Sequence, residues 1–221
     1  MSTLLEITSV VRDKLNDTDS MNYRWSESEM LADCNSGLRE IVRIKPDANM
    51  TVASVALSAG VEQDIPENGI LMLDVMRNMG TDGSTPGNSV VLASLDLFNK
   101  TYPDWAASDQ QTEINNWLYD SSMPKLWYCS PPSDGAGYVK IAYSEMPSAL
   151  GDLIATFPLG DEYFDAMVHY LIYRALLKDS DYAASFERAQ RELAVMYQSL
   201  GRHDLMEMAF KFSTAKMNQG G

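Results

Sequence analysis

The residues able to do chemistry are few and scattered. The chain has two histidines, His169 and His203, and two cysteines, Cys34 and Cys129. His169 stands between Val168 and Tyr170 in a stretch of strong helical periodicity. A lone histidine there is more often a hydrogen-bonded packing residue than a general base. His203 is expected just past a helix end, where positive charge is favoured, and it has no neighbouring Cys or second His with which to hold a metal. The cysteines lie far apart with no C-x-x-C spacing, Cys34 on the apolar face of an expected helix and Cys129 in an expected strand. Two reduced, packed thiols fit that placement. Asp161 with Asp165, and Glu27 with Asp33, are carboxylate pairs at near-helical spacing. In a chain with many acids such pairs read as solvated faces. No G-x-S-x-G, P-loop, H-E-x-x-H or glycine-rich dinucleotide turn occurs. The sequence therefore points to no catalytic, cofactor-binding or metal residues, and the expectation is a protein that is not an enzyme.

The aromatic group Trp117, Tyr119, Trp127, Tyr128, Tyr138 and Tyr143 could stack on sugars or bases. Packing across strands is the stronger reading, because aromatics pair well there. Charge argues the same way: 17 Lys+Arg against 31 Asp+Glu give a net charge of -14. The largest basic cluster, Arg39, Arg43 and Lys45, is too small to replace phosphate counterions. Fourteen methionines are present. Met206, Met208 and Met217 lie outside clear core stripes and suit an adaptable protein contact.

The elements that must position these residues fall into three groups within 221 residues, of which 45% are hydrophobic and 22% charged. Such a chain is long enough to bury a core without staples. Ser2 to Leu15 places Leu4, Leu5, Val11 and Leu15 at helical spacing. Ser26 and Glu29 form a capping box ahead of a helix with Met30, Leu31, Cys34, Leu38, Ile41 and Val42 on one face, ending before Pro46. From Thr51 to Ser144 the pattern changes to short β-type runs: 51–57, 61–66, 70–76, 88–92, 117–120, 125–130 and 138–144. A short helix is expected at 94–99. Pro131 to Gly135 reads as a hairpin loop joining the last two runs.

Helix returns at Asp161 to Lys178, with Phe164, Met167, Val168, Leu171, Ile172, Ala175 and Leu176 at steps of three and four. A second helix, from about Tyr182 to Leu200, turns Ala183, Phe186, Ala189, Leu193, Met196 and Leu200 inward and stops at Gly201. With the short break Asp179 to Asp181 between them, the two should pack antiparallel. Leu205, Met208, Ala209 and Phe212 make one amphipathic stripe in a C-terminal tail. The expected fold is α+β and mainly helical: a helical bundle with an inserted small antiparallel β subdomain and an extended tail. Its parts are 1–50 (bundle helices), 51–147 (β subdomain), 148–201 (helix hairpin) and 202–221 (tail). The N-terminus does not read as a signal peptide, and no apolar run approaches bilayer length, so assembly in the host cytoplasm away from membranes is expected.

Several stretches, in order, resemble the head-to-tail adaptor (connector) proteins of tailed bacteriophages, chiefly the short-tailed type. They are Arg24-Trp25-Ser26; Leu38 to Val42 with Lys45-Pro46-Asp47-Ala48; Leu57 to Pro66; Leu73 to Asn78; Tyr102-Pro103-Asp104-Trp105; Pro124 to Pro132; and, strongest, His169 to Tyr182. Together they span roughly residues 20 to 200 of the chain. The resemblance implies a structural virion protein at the head–tail junction. It implies a homo-oligomeric ring, a dodecamer, beneath the portal protein, which lets DNA pass without sequence-specific binding and receives tail proteins (nozzle or tail tube, and fibres). It also implies a portal-docking role for the tail carrying Leu205, Met208, Ala209 and Phe212, and no cofactors. The alternatives are another tail-completion or stopper protein, a cell-wall glycan hydrolase, and a carbohydrate-binding module using the β-subdomain aromatics.

Overall fold

The computed structural model describes residues 2–178 and 183–209. The helices are α1 (Leu4–Leu15), α2 (Glu27–Ile44), α3 (Leu95–Thr101), α4 (Phe164–Lys178) and α5 (Ala183–Ser199). The strands are β1 (Met50–Ala56), β2 (Gly60–Asp64), β3 (Gly69–Asn78), β4 (Val91–Ala93), β5 (Asn116–Tyr119), β6 (Leu126–Ser133) and β7 (Tyr138–Glu145). The chain divides into two compact units, Met1–Ala48 with Pro147–Gly221, and Asn49–Met146.

The helical unit starts from local signals. Thr3 with Glu6 and Ser26 with Glu29 are reciprocal capping boxes, each pair satisfying free N–H groups at a helix start. α2 stops at Ile44, before Pro46. α4 packs against α1, α2 and α5. Its burial extends beyond the expected stripe: Ala166 and Tyr170 are buried as well as Met167, Val168, Leu171, Ile172, Ala175 and Leu176, while Phe164 is only half-buried. A helix apolar on several sides belongs at the centre of a bundle. Around it lie Leu4, Ile7 and Val11 of α1, Met30, Cys34, Leu38, Ile41 and Val42 of α2, and Ala189, Ala194 and Met196 of α5.

Gly37 lets α2 come close to α4, since a Cβ there would sit 2.7 Å from the Met167 sulfur and 2.8 Å from the Tyr170 ring. Arg174–Asp33 at 3.0 Å and Lys178–Glu29 at 2.6 Å tie the same two helices at the surface. The Lys178 bond is the main reason the Glu29 carboxyl is lowered to about 2. Asp161 and Glu162, expected in the first turn of α4, lie instead in a separate 3-10 turn, where Asp161 accepts from the Ser2 backbone and hydroxyl at 3.0 Å. The break at Asp179 to Asp181 and the helix start at Tyr182 lie outside the described residues.

In the second unit the hydrophobic alternation produces seven strands in two sheets, ordered β1-β7-β3 and β2-β6-β5-β4. Leu57, Met72, Val75, Ile114, Trp117, Trp127, Cys129, Val139, Ile141 and Tyr143 fill one core drawn from both sheets. Two expectations are corrected. The runs before and after Pro131 to Gly135 are not a hairpin: β6 pairs with β2 and β5, and β7 pairs with β1 and β3. Moreover β6 continues through Pro131 and Pro132 to Ser133. A proline cannot donate, but its carbonyl still accepts, and Pro132 takes the Gln111 N–H at 2.8 Å. Nor is the subdomain wholly antiparallel, because β4 and β5 pair parallel. The loop between them, which contains α3, supplies the crossover such a pair needs.

Buried amides complete the framework. Asn78, 1% exposed, donates to the carbonyl of Ile114 at 2.8 Å and accepts from the Ile114 N–H at 3.0 Å. Gln63 does the same with Ser58, at 2.8 and 2.7 Å. These two-way bonds satisfy backbone groups that no strand reaches.

Candidate functional site

The residues singled out for chemistry are dispersed. His169 Nδ1 lies 2.7 Å from Glu192 Oε2, both half-buried, and this bond is the main reason the Glu192 carboxyl is held below its ordinary value. The histidine thus bridges two helices. Cys34 and Cys129 are free and buried. Burial pushes their thiols up to about 12 and about 11, so neither is a reactive thiolate at neutral pH. Asp161 and Asp165 are exposed, and of the other pair Asp33 is taken by Arg174. Among the described residues no group of three or more His, Cys, Asp or Glu is placed to hold a metal ion.

Four of the six aromatics are packed in the sheet core. Trp117, Trp127 and Tyr143 are 3%, 1% and 5% exposed, and Tyr119 packs against the same core. Tyr128 meets the edge of Trp105, whose ring also meets Phe98. Phe98, Tyr102 and Trp105 line an open groove of about 680 Å³ on this unit, with the exposed Leu97 on the same helix as Phe98. Trp105 Nε1 donates to Asn99 Oδ1 at 2.8 Å, which holds this short aromatic segment together.

The tail begins with a defined turn. Gly201 adopts φ 73°, its N–H donates to the Gln198 carbonyl at 2.9 Å, and the Arg202 N–H donates to the Tyr197 carbonyl at 2.8 Å. This is the Schellman arrangement that closes a helix with a left-handed residue. The chain then re-enters helix at 203–209. His203 lies just past the end of α5, as expected, but it also opens the next helical stretch, whose N-terminal pole does not favour positive charge.

Arg202, which sequence reasoning missed, anchors this root. It donates to Asp204 at 2.9 and 2.8 Å and to the Ile44 carbonyl at the end of α2 at 3.3 Å. The arginine holds the Asp204 carboxyl down at about 2. The one sequence signal for it is an Arg-x-Asp directly after a helix-stopping glycine. Of the proposed docking residues, Leu205 is half-buried, Met208 is 57% exposed and Ala209 is 4% exposed, while Phe212 lies outside the described residues.

No described helix is long and apolar enough to cross a membrane. No curated protein matches the chain. A family model described as SU10 adaptor protein matches residues 2–210, nearly the whole chain. The match takes in α1 and the root of the tail, beyond the stretches that carry the resemblance to phage connectors. On that match the chain belongs to the SU10 adaptor protein family, whose members are structural head-to-tail adaptors of phages rather than enzymes.

Proposed function

We propose that copies of this chain close into a dodecameric ring under the portal, extend the DNA channel and receive the tail proteins, with residues 202–221 docking on the portal surface. The observation that carries this reading is the adaptor-family match over residues 2–210. A phage adaptor is a virion component at the head–tail junction, so portal and tail proteins are its natural neighbours. Two further features favour the finer picture. The net charge of -14 makes a wall that repels DNA rather than gripping it. The tail starts from a rigid, Arg202-pinned turn and carries Met206 and Met208 beyond it, which suits an adaptable contact.

The test is electron microscopy of the purified chain mixed with its portal, together with a chain lacking residues 202–221. The full chain is expected to decorate the portal as a closed ring and the shortened one to be lost from it. A shortened chain that binds portal as well as the full one would remove the docking role from the tail.

A further inference from the structure

Residues 91–109 of the β unit carry an exposed apolar face. The helix α3 has no buried residue, and neither has the 3-10 turn Trp105–Ala107 that follows it. Leu97 is 64%, Tyr102 59% and Val91 58% exposed. Val91 pairs with Asn116, which lines the same groove as Phe98, Tyr102 and Trp105. Exposed apolar side chains gathered in one place mark a binding surface, whereas single ones do not.

The rim of this groove is acidic. Asp104 is part of its wall, Asp96 precedes Leu97 and Phe98 on α3, and Asp109 follows Ser108 of the wall. Lys100 is the one base in this stretch. Asp104 caps no helical N–H, and among the described residues none of the three carboxylates is in an ion pair. An aromatic floor beside unengaged carboxylates suits a cationic side chain flanked by apolar ones.

The chain itself contains a segment of that chemistry. Residues 210–221, Phe-Lys-Phe-Ser-Thr-Ala-Lys-Met-Asn-Gln-Gly-Gly, lie outside the described residues. They hold two of the 17 bases and none of the 31 acids. We infer that residues 210–221 of a second copy fill the groove. Copies of net charge -14 repel one another in general, so attraction comes from the basic end of one meeting the acidic rim of the other. In an extended segment alternate side chains face opposite ways. Phe210 and Phe212 thus turn together onto the rings, while Lys211 reaches the rim. A segment of that length spans at most about 40 Å, enough to cross to a neighbouring subunit. The inference stands apart from the portal reading and is compatible with it: groove and portal draw on the same end of the chain in turn, the groove before docking.

The experiment has two arms, both on the full chain. Sedimentation over a range of concentration follows self-association of the natural chain, of Asp104→Lys, and of Lys211→Glu with Lys216→Glu. Each charge reversal should weaken self-association on the order of tenfold, and combining them should restore part of it. Fluorescence anisotropy follows a labelled peptide of residues 210–221 added to the chain. Asp104→Lys and Tyr102→Ala, both at exposed positions, should each weaken the peptide on the order of tenfold, and added salt should weaken it in the natural chain. A peptide that does not bind, or that binds both variants as tightly as the natural chain, overturns the inference. So does a peptide that binds while the full chain stays monomeric, because no second copy then fills the groove. Circular dichroism checks that each variant is folded. Portal binding is measured in a separate mixture, so failure of the portal reading leaves these outcomes readable.

Discussion

His169 on α4 and Glu192 on α5 meet at 2.7 Å, and they stand equally far along their helices from the link between Lys178 and Ala183. Equal distances mean that the helices run antiparallel, as so short a link requires. The carboxylate is held below its ordinary value of 4.5, by His169 first.

That bond sets a pH dependence. A carboxyl depressed in the folded state contributes stability above its unfolded pKa and loses it as pH falls through the folded one. Glu192→Gln should therefore cost about 1 kcal/mol near neutral pH, discounted for partial exposure. The difference from the natural chain should shrink as pH drops below 4.5. Urea unfolding of both chains across that range checks it, and a difference that stays constant to low pH would remove Glu192 from the argument.

Arg12 and Asp17 form the most buried ion pair described. Arg12 is 6% and Asp17 7% exposed, and the guanidinium also donates to the Trp25 carbonyl at 2.9 Å and lies 3.4 Å over the Tyr23 ring. Asp17 takes the Arg24 N–H at 2.8 Å as well. Replacing one partner leaves the other charge buried, so Asp17→Ala should destabilise by about 3 kcal/mol. Replacing both by apolar residues of similar size should cost less. A double-mutant cycle on the denaturation midpoint separates the two outcomes.

Among the described residues nothing lies within 4 Å of a Cβ placed at Gly201, so its role there is conformational. Gly201→Ala puts a Cβ on a left-handed residue and should cost about 1 kcal/mol. On the proposal that residues 202–221 dock on the portal, portal binding should weaken more than overall stability does. Thermal unfolding and portal co-sedimentation of the one variant measure both.

Trp127 is fully enclosed, at 1% exposure, in the core that joins the two sheets. Trp127→Ala should destabilise by about 3–5 kcal/mol through the cavity it leaves. Calorimetry gives the cost, and a glycan array on the folded natural chain asks whether the aromatics serve any sugar. Specific glycan binding with no loss of stability on substitution would reverse the packing assignment.

The local grammar of the chain was legible before any coordinates. Ser26 and Glu29 announced α2, the steps of three and four from Met167 to Leu176 announced α4, and Gly201 announced the end of α5. Each depends on residues within a turn or two of one another. Arg12 and Asp17 escaped notice for the opposite reason: a buried charge pair is recognised by what surrounds it. Gly37 escaped for the same reason, since its missing side chain matters only because Met167 lies opposite.

What the sequence determined by itself was which stretches are helical and which are β-type, the acidic balance, the lack of a catalytic signature, and the ordered stretches that resemble phage connectors. Only the tertiary structure decided partnership: that β6 and β7, neighbours in the chain, enter different sheets, and that β4 joins β5 in parallel. Periodicity encodes which face of a strand is buried. The strand that lies beside it is selected by how two sheets together enclose Trp117, Trp127 and Ile141, and that competition is settled only when the whole core closes.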